Sequence, residues 1–386
     1  MAEPRRFVLA TAAVLSAAVT MGIAALPLYL AEVDGLTHTD LLSANAVAFG
    51  AGVAMSVLAT PLWGALGDRV GRRSMVVRAA LGLAVSQLVL WGADSSSGII
   101  AGRALQGLIS GALPAVTAAA AGAWSGPGRT KILGDLEAAA TVGAIVGPLL
   151  VALVVWVDGL SAVYATAAGL ALVGGLLALG LPDSGGARAS RPRWAALGAP
   201  IRRLLVLSAA IEVGQQLIEL AWPVVLVSLT SDPVTQATVV AAVDVASELA
   251  YLAGAPIIAR LGERCGPWPT LRACIVASAA FSTLLAWVPG PWWLVPAAAG
   301  ADGSAAGIHP LVHERLADAA DPAQIGAVVG LGGSALRLGG LGGAAMAPLL
   351  AGLGAAATIG IAAGWLLTVA GLVPARASAG GDQSVA

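Results

Sequence analysis

Five carboxylates lie inside otherwise apolar runs of this sequence: Glu212, Glu219, Asp244, Glu248 and Asp302. Glu212 and Glu219 are seven residues apart, and Asp244 and Glu248 four apart, so on helices each pair shares a face. A carboxyl moved into a medium of low dielectric holds its proton more tightly. Such groups are costly in an apolar phase and are kept for reversible proton binding or for contact with a polar ligand. Arg337, in a further apolar run, has the charge to neutralise Glu219, Glu248 or Asp302, but one arginine cannot neutralise them all. At least one carboxyl must be protonated, wet or turned to a ligand. Asp302 and Glu219 are the best placed to carry a proton; Glu212, about two turns from the end of its run, also reads as an interfacial group. Arg103 is the corresponding charge in the first half. It either faces protein or water, or reaches back to the nearby membrane interface along its aliphatic stem.

The elements that must position these groups follow from composition. The chain has 386 residues, 58% hydrophobic and 11% charged, against about 25% charged in a soluble domain. The apolar runs are continuous rather than alternating, so the spanning element is a helix and not a barrel strand. At about 20 residues per span, twelve runs qualify: roughly 7–31, 41–63, 76–93, 99–122, 132–157, 162–181, 204–230, 236–259, 271–288, 291–313, 324–350 and 354–374. With both termini in the cytoplasm, 18 of the 20 Lys and Arg fall in or beside cytoplasmic segments. The remaining two, Arg103 and Arg337, lie within spans away from the cytoplasmic ends, and the outer loops carry acids alone, as the positive-inside rule requires. Arg5-Arg6 before the first run imitates a signal peptide, but the run is longer than an h-region and eleven more spans follow. Cys265 and Cys274 lack metal-ligand spacing.

Two sequence echoes indicate a duplicated chain. Pro61-x-x-x-x-Leu-Gly67-Asp68-Arg69-x-Gly71 recurs as Pro256-x-x-x-x-Leu-Gly262-Glu263-Arg264-x-Gly266, and Gly143-x-x-x-Gly147-Pro148 as Gly343-x-x-x-Ala347-Pro348. The expected organisation is an all-α integral membrane protein with 12 transmembrane helices in two pseudo-symmetric six-helix bundles: residues 1–181 and 204–376, joined by a Pro/Gly/Ser/Arg-rich cytoplasmic linker at 182–203 and followed by a tail at 377–386. Gly64, Gly67 and Gly71 permit a tight turn in which Asp68 pairs with an arginine or caps a helix. With Arg69, Arg72 and Arg73, it would form a latch. The second copy keeps Glu263 and Arg264 but has Pro267-Trp268 in place of the two arginines. Asn45, Gln106, Gln215, Gln216, Trp222 and Tyr251 are the side chains suited to line a cavity. The three histidines have no metal-ligand companions, and no phosphate-binding Gly-x-x-x-x-Gly-Lys-Ser/Thr motif is present, so neither a metal nor direct use of ATP is expected.

The stretch from Thr60 to Gly82, with Gly64-x-Leu-x-Asp68-Arg69-x-Gly71-Arg72-Arg73 at its centre, and the Arg103-x-x-Gln106-Gly107 motif resemble the 12-helix drug:proton antiporter branch of the major facilitator superfamily. The resemblance is specific over about residues 40–150. It implies alternating access, a substrate site near the bilayer midplane between the halves, and a role for Arg103 in proton transfer. The Gly143-x-x-x-Gly147-Pro148 pattern is a mark of that family's exporters, although the following Gly-Gly is replaced here by Leu149-Leu150. The expectation is a non-enzymatic monomer in the cytoplasmic membrane. It would use the proton gradient and no cofactor, with the lipid bilayer, protons and a small, partly apolar organic molecule as its partners and no nucleic acid. The alternatives are a proton symporter importing a nutrient such as a sugar or organic acid and, second, a non-transporting sensor with the same fold.

Overall fold

The computed structural model describes residues 2–124, 127–182, 197–321 and 325–374. Arg188, Arg191, Arg193 and Arg376, most of the expected linker and the 377–386 tail lie outside the described residues. Among the described residues fifteen α-helices follow one another: α1 (Ala2–Ala24), α2 (Leu26–Asp34), α3 (His38–Val70), α4 (Arg72–Trp91), α5 (Ser96–Ile109), α6 (Ala112–Ala123), α7 (Pro127–Asp158), α8 (Ser161–Ala178), α9 (Ala199–Leu229), α10 (Pro233–Cys265), α11 (Pro267–Leu285), α12 (Leu294–Ala305), α13 (Ile308–Asp318), α14 (Ile325–Leu350) and α15 (Ala355–Leu372). In lipid each backbone N–H and C=O must find its partner within the protein, and the helix does this locally.

Among the described residues eleven helical stretches are long and apolar enough to cross a membrane. The tenth expected run, 291–313, is instead divided: α12 ends at Ala305 and α13 begins at Ile308. Proline is the physical reason. Pro310 has no N–H for the Ala306 carbonyl, and its ring crowds that carbonyl. The same rule accounts for the break at Ser110-Gly111, four and three residues before Pro114, and for the interruption at Ala25, two before Pro27. The breaks at 110–111 and 306–307 are 196 positions apart, so the fourth expected helix of each half bends at the same place.

The chain forms two compact units. One comprises Met1–Ala189 with Leu226–Val245 and Ala347–Gly352; the other Ser190–Val225 with Ala246–Met346 and Leu353–Ala386. Within the first, α1 packs on α7 and α8, α3 on α5, and α4 on α8; within the second, α11 packs on α12 and α15. Glycine sets the closest approaches. A Cβ added at Gly143 would collide with the Ala13 carbonyl and with Ser16, and one at Gly147 with Thr20 and the Ala17 carbonyl. In the second unit a Cβ at Gly343 would lie 2.9 Å from the Val213 carbonyl and 2.8 Å from Gln216 Cβ. Ala13, Ser16 and Gly143 thus correspond to Val213, Gln216 and Gly343 at a constant offset of 200. A second matched contact sets Gly107 against Gly52 (α5 on α3) and Gly254 against Gly303 (α10 on α12). Small residues let helices meet at backbone distance, where dispersion holds them together without a hydrophobic driving force.

The two echoed loops also match in backbone. Gly71 has φ 90° and ψ 151°, and Gly266 φ 88° and ψ 155°; their N–H groups bond the Gly67 and Gly262 carbonyls at 3.2 and 2.9 Å. Positive φ at both turns is why each copy needs glycine there. Asp135, near the start of α7, has Arg129 and Lys131 within two turns of it in sequence. Its carboxylate instead meets Arg5 of α1 at 2.7 Å, because α1 lies along α7, whereas Arg129 turns to the Trp124 carbonyl.

Outside the spans, Asp34 at the end of α2 accepts bonds from the Ser96 hydroxyl and from the Ser96 N–H, the latter at 2.8 Å, joining α2 to the start of α5. Asp232 caps α10 by accepting from the Thr235 hydroxyl and N–H, with Pro233 as the first helical residue. These bonds hold both carboxyls below the usual aspartate range, the side-chain bond contributing most in each case. A depressed pKa means that the stabilisation is complete above the unfolded value, about 4, and is lost only as pH falls through the lower folded value. The destabilisation caused by Asp232→Asn should therefore be equal at pH 7.5 and pH 5.5, read as melting temperature in detergent; a penalty that disappears at pH 5.5 would contradict it. Overfilling the α1–α7 seat with Gly147→Leu should lower stability by about 1–3 kcal/mol. Gly169→Leu, where nothing lies within 4 Å of the new Cβ, should leave the same melting curve unchanged.

Candidate functional site

The second unit brings four of the acidic and basic side chains together along one seam. α9 carries Glu212 and Glu219 two turns apart on one face. Opposite it, α12 carries Asp302 and α13 carries His309, also seven residues apart. Glu219 and Asp302 are near enough for their charges to interact. Trp222, one turn on from Glu219 and itself buried, donates its indole N–H to the Glu219 carboxyl. Ser247 of α10 lies beside Asp302, its hydroxyl completing no well-aligned hydrogen bond. Seven residues further along both helices, Glu212 Oε2 and His309 Nε2 are 3.4 Å apart. The two atoms are shielded from solvent, and neither completes a well-aligned hydrogen bond. Glu212 is thus engaged across a helix interface and is not an isolated interfacial acid.

Arg337 does not play the neutralising part open to it in the sequence. Its side chain is exposed, and among the described residues it makes no ion pair. The face of α14 that packs on α9 is formed by Gly339, Gly340 and Gly343. Asp244 and Glu248 are half-buried on α10 and, like Tyr251, are engaged by neighbours. Gln215 is half-buried. Gln216 is buried against Gly340 and Gly343, with its side-chain amide N–H without a partner.

In the first unit Arg103 is 6% exposed and donates to Gln106, which is also buried. It does not extend to the interface. Among the described residues no carboxylate pairs with it; its close neighbour is Tyr164, whose hydroxyl bonds the Gly22 carbonyl at 3.4 Å and whose ring meets Tyr29 edge-on at 5.0 Å. Asn45 is buried on α3 and engaged. At the 196-residue offset of the helix breaks, Asp302-Gly303 occupies the place of Gln106-Gly107. The second half therefore carries an acid where the first carries a neutral amide.

The break between α5 and α6 frees carbonyl groups that Arg78 collects. Its guanidinium donates to the Ile109 carbonyl at 2.6 Å and to the Ser110 carbonyl at 3.0 Å. It also stacks 3.8 Å from the Trp63 ring centroid. The Trp63 indole N–H in turn bonds the Leu108 carbonyl at 2.7 Å. Arg72 likewise donates to Ala118 on α6 at 2.6 Å. Arg69 and Arg73 are exposed, as are Gly64, Glu263 and Arg264; Gly67 packs on Met75. The Asp68 side chain lies outside the described residues. Gly143, Gly147 and Pro148 lie in an unbroken α7. Among the described residues no group of three or more His, Cys, Asp and Glu could hold a metal ion.

Sequence reading missed two of these arrangements. Arg78 was counted only as a basic charge beside a loop, although its place within the 76–93 run is a signal that it serves the protein interior. The Glu212–His309 pair was foreshadowed by equal seven-residue spacings on two antiparallel segments.

A bundle of broken and unbroken apolar helices with titratable side chains facing one another across its helix seams defines a multi-pass membrane transporter. The chain belongs to the Major Facilitator Superfamily, which it matches over residues 8–231. It is 29% identical over 278 residues to the multidrug resistance protein MdtG of Serratia proteamaculans, covering 70% of this chain and 68% of that one. It is also 33% identical over 146 residues to the staphyloferrin B transporter of Staphylococcus aureus, a match spanning 38% of this chain and 35% of that relative. The fold is shared across 96% of the chain with the nucleoside transporter NupG (TM-score 0.77, 15% identity, 98% of that chain) and with a peptide transporter POT (TM-score 0.76, 15% identity, 93% of that chain).

Arg78→Ala would leave the Ile109 and Ser110 carbonyls without their donors, at a cost of about 1–3 kcal/mol. Arg78→Lys, which keeps a donor but loses the fork and the stack, should fall between Ala and the parent protein in detergent melting temperature. A melting temperature unchanged in Arg78→Ala would show that the carbonyls find other partners.

Proposed function

We propose that the protein is a proton-coupled exporter of small, partly apolar organic molecules such as drugs or a secondary metabolite. It would work by alternating access, with protons moving inward as substrate moves outward. The observation that carries this reading is the Glu219–Asp302 pair, two carboxyls on facing helices of one unit, near enough for their charges to interact, with Glu219 exposed and Asp302 half-buried. Two like charges so placed favour one proton shared between them. The resemblance to relatives named for multidrug resistance supports export as the direction. Residues 1–181 and 204–376 act as the two moving bundles, with the Gly64–Arg73 segment, the end of α3 and the Gly71 turn into α4, as the conformational latch. Arg103 is the cation that would respond to the charge state of the acids. Gln215, Gln216, Trp222, Tyr251, Gln106 and Asn45 would line the substrate cavity. The protein acts as a monomer in the cytoplasmic membrane with both termini inside, and its energy source is the proton gradient.

The test is efflux of fluorescent cationic and neutral dyes from cells lacking their own exporters. Efflux should be abolished by a proton ionophore and should fall on the order of 100-fold in Glu219→Gln and Asp302→Asn at unchanged expression. Full ionophore-sensitive efflux in both variants would remove the pair from the mechanism, and ionophore-insensitive efflux would remove the proton.

A further inference from the structure

The acids of the second unit do not end at the Glu219–Asp302 pair. α9 and the α12–α13 segment run antiparallel, and each repeats a titratable residue after seven positions. The result is two rungs about 10 Å apart: Glu219 with Asp302, then Glu212 with His309 at 3.4 Å. The lower rung lies on the side of the arginine-rich loops, because α9 enters the membrane from that side. Its charge also reaches the upper rung, since Glu212 and Glu219 interact. His313, one turn beyond His309 on α13, is close enough to interact with it. A crevice bordered by Ser208, Ile211, Val312, Leu336 and the two histidines opens beside them. The Ser208 hydroxyl is spent on the Leu204 carbonyl at 3.0 Å, so the imidazoles are the free polar groups that this crevice offers to water.

We infer that Glu212, His309 and His313 form a proton relay connecting the Glu219–Asp302 pair to the cytoplasm. The inference rests on the proton-coupled reading above. The groups that face His309 are Glu212 from α9 and His313 from its own helix. α14 presents Gly332, Leu336 and Gly339 to this region, and α11 meets the neighbouring Gly307 with Cys274; neither brings a charge to it. In each step the O–H bond of a protonated upper carboxyl breaks, and the proton crosses by way of water to the lower rung. There it forms an O–H bond on Glu212 or an N–H bond on His309 Nε2, the two atoms sharing it across the 3.4 Å gap. It then passes by way of His313 to bulk water. Only the proton moves, and each group returns to its starting state. The pair explains why His309 Nε2 and Glu212 Oε2 are shielded from solvent yet make no fixed hydrogen bond: a partner held rigidly would not pass its proton on.

The experiment uses the full-length protein in liposomes and a pH jump, with the infrared C=O stretch of protonated carboxyls followed in time. It needs no substrate. Loss of the band in Glu219→Gln or Asp302→Asn assigns it to the upper pair. The expected result is that His309→Gln and Glu212→Gln keep the band but slow its decay on the order of 100-fold, and that added imidazole restores the rate in His309→Ala. A non-titrating salt at equal concentration should not restore it. A band that decays at the parent rate in His309→Gln and in Glu212→Gln overturns the relay and leaves the coupling site standing. Slowing that imidazole does not relieve assigns His309 a packing role and also overturns it. If no band is lost in Glu219→Gln or Asp302→Asn, the proton-coupled reading itself fails, and the relay fails with it.

Discussion

The structure depends on how closely its helices approach one another. In water, burying apolar surface would drive them together; in lipid the chains outside are as apolar as the leucines inside, and that force vanishes. What remains is contact at backbone distance, and the seats at Gly143, Gly147, Gly343, Gly107 and Gly303 supply it. A seat allows no sliding, so it also fixes register. The register of α14 on α9 seats Gly339 against Glu212 and Gly343 against Gln216. The register of α10 on α12 seats Gly254 on Gly303, beside Asp302. The charged groups are therefore located by residues that carry no chemistry of their own.

On this repeated scaffold the two halves have taken opposite electrical characters. The first holds a buried cation, Arg103, bonded to a neutral amide. The second holds acids on α9, α10 and α12, with an imidazole below them. The position of Gln106 becomes Asp302, and that of Glu137 on α7 becomes Arg337 on α14. Equal seats with unequal side chains mean that packing and charge obey separate requirements. The helix breaks add to this, because an interrupted helix exposes carbonyls that must be met. Arg78 meets them in the first half, tying the bend of α5–α6 to α4 and to Trp63 on α3.

Much of the fold was legible in the sequence because the spanning requirement acts on runs of about 20 residues, and such runs are visible without any knowledge of packing. The duplication was legible for a similar reason: a glycine that must adopt positive φ, as Gly71 and Gly266 do, leaves its mark at a fixed place. The divided tenth run was not read, although Pro310 was in view; prolines at 61, 148, 223, 256 and 348 stand inside unbroken helices, so a proline alone does not decide between a bend and a break. The partners of individual charges were the least legible. Asp135 chose Arg5, 130 residues away, over basic residues within one or two turns, and Glu212 chose His309. Both choices depend on which helices touch, which is a property of the seats and not of the local sequence.

The two glycine turns have one backbone and two kinds of exterior. Gly71 is followed by Arg72 and Arg73, and Gly266 by Pro267 and Trp268. The cytoplasmic leaflet of most membranes carries anionic headgroups, and a basic side chain near them gains about 1 kcal/mol. With the termini inside, as proposed above, the first turn would be held at that surface by Arg73, while the second would offer an aromatic ring suited to the headgroup boundary. On that orientation the bilayer would grip the two halves by different means, and a change in its anionic lipid content would act on one of them far more than on the other.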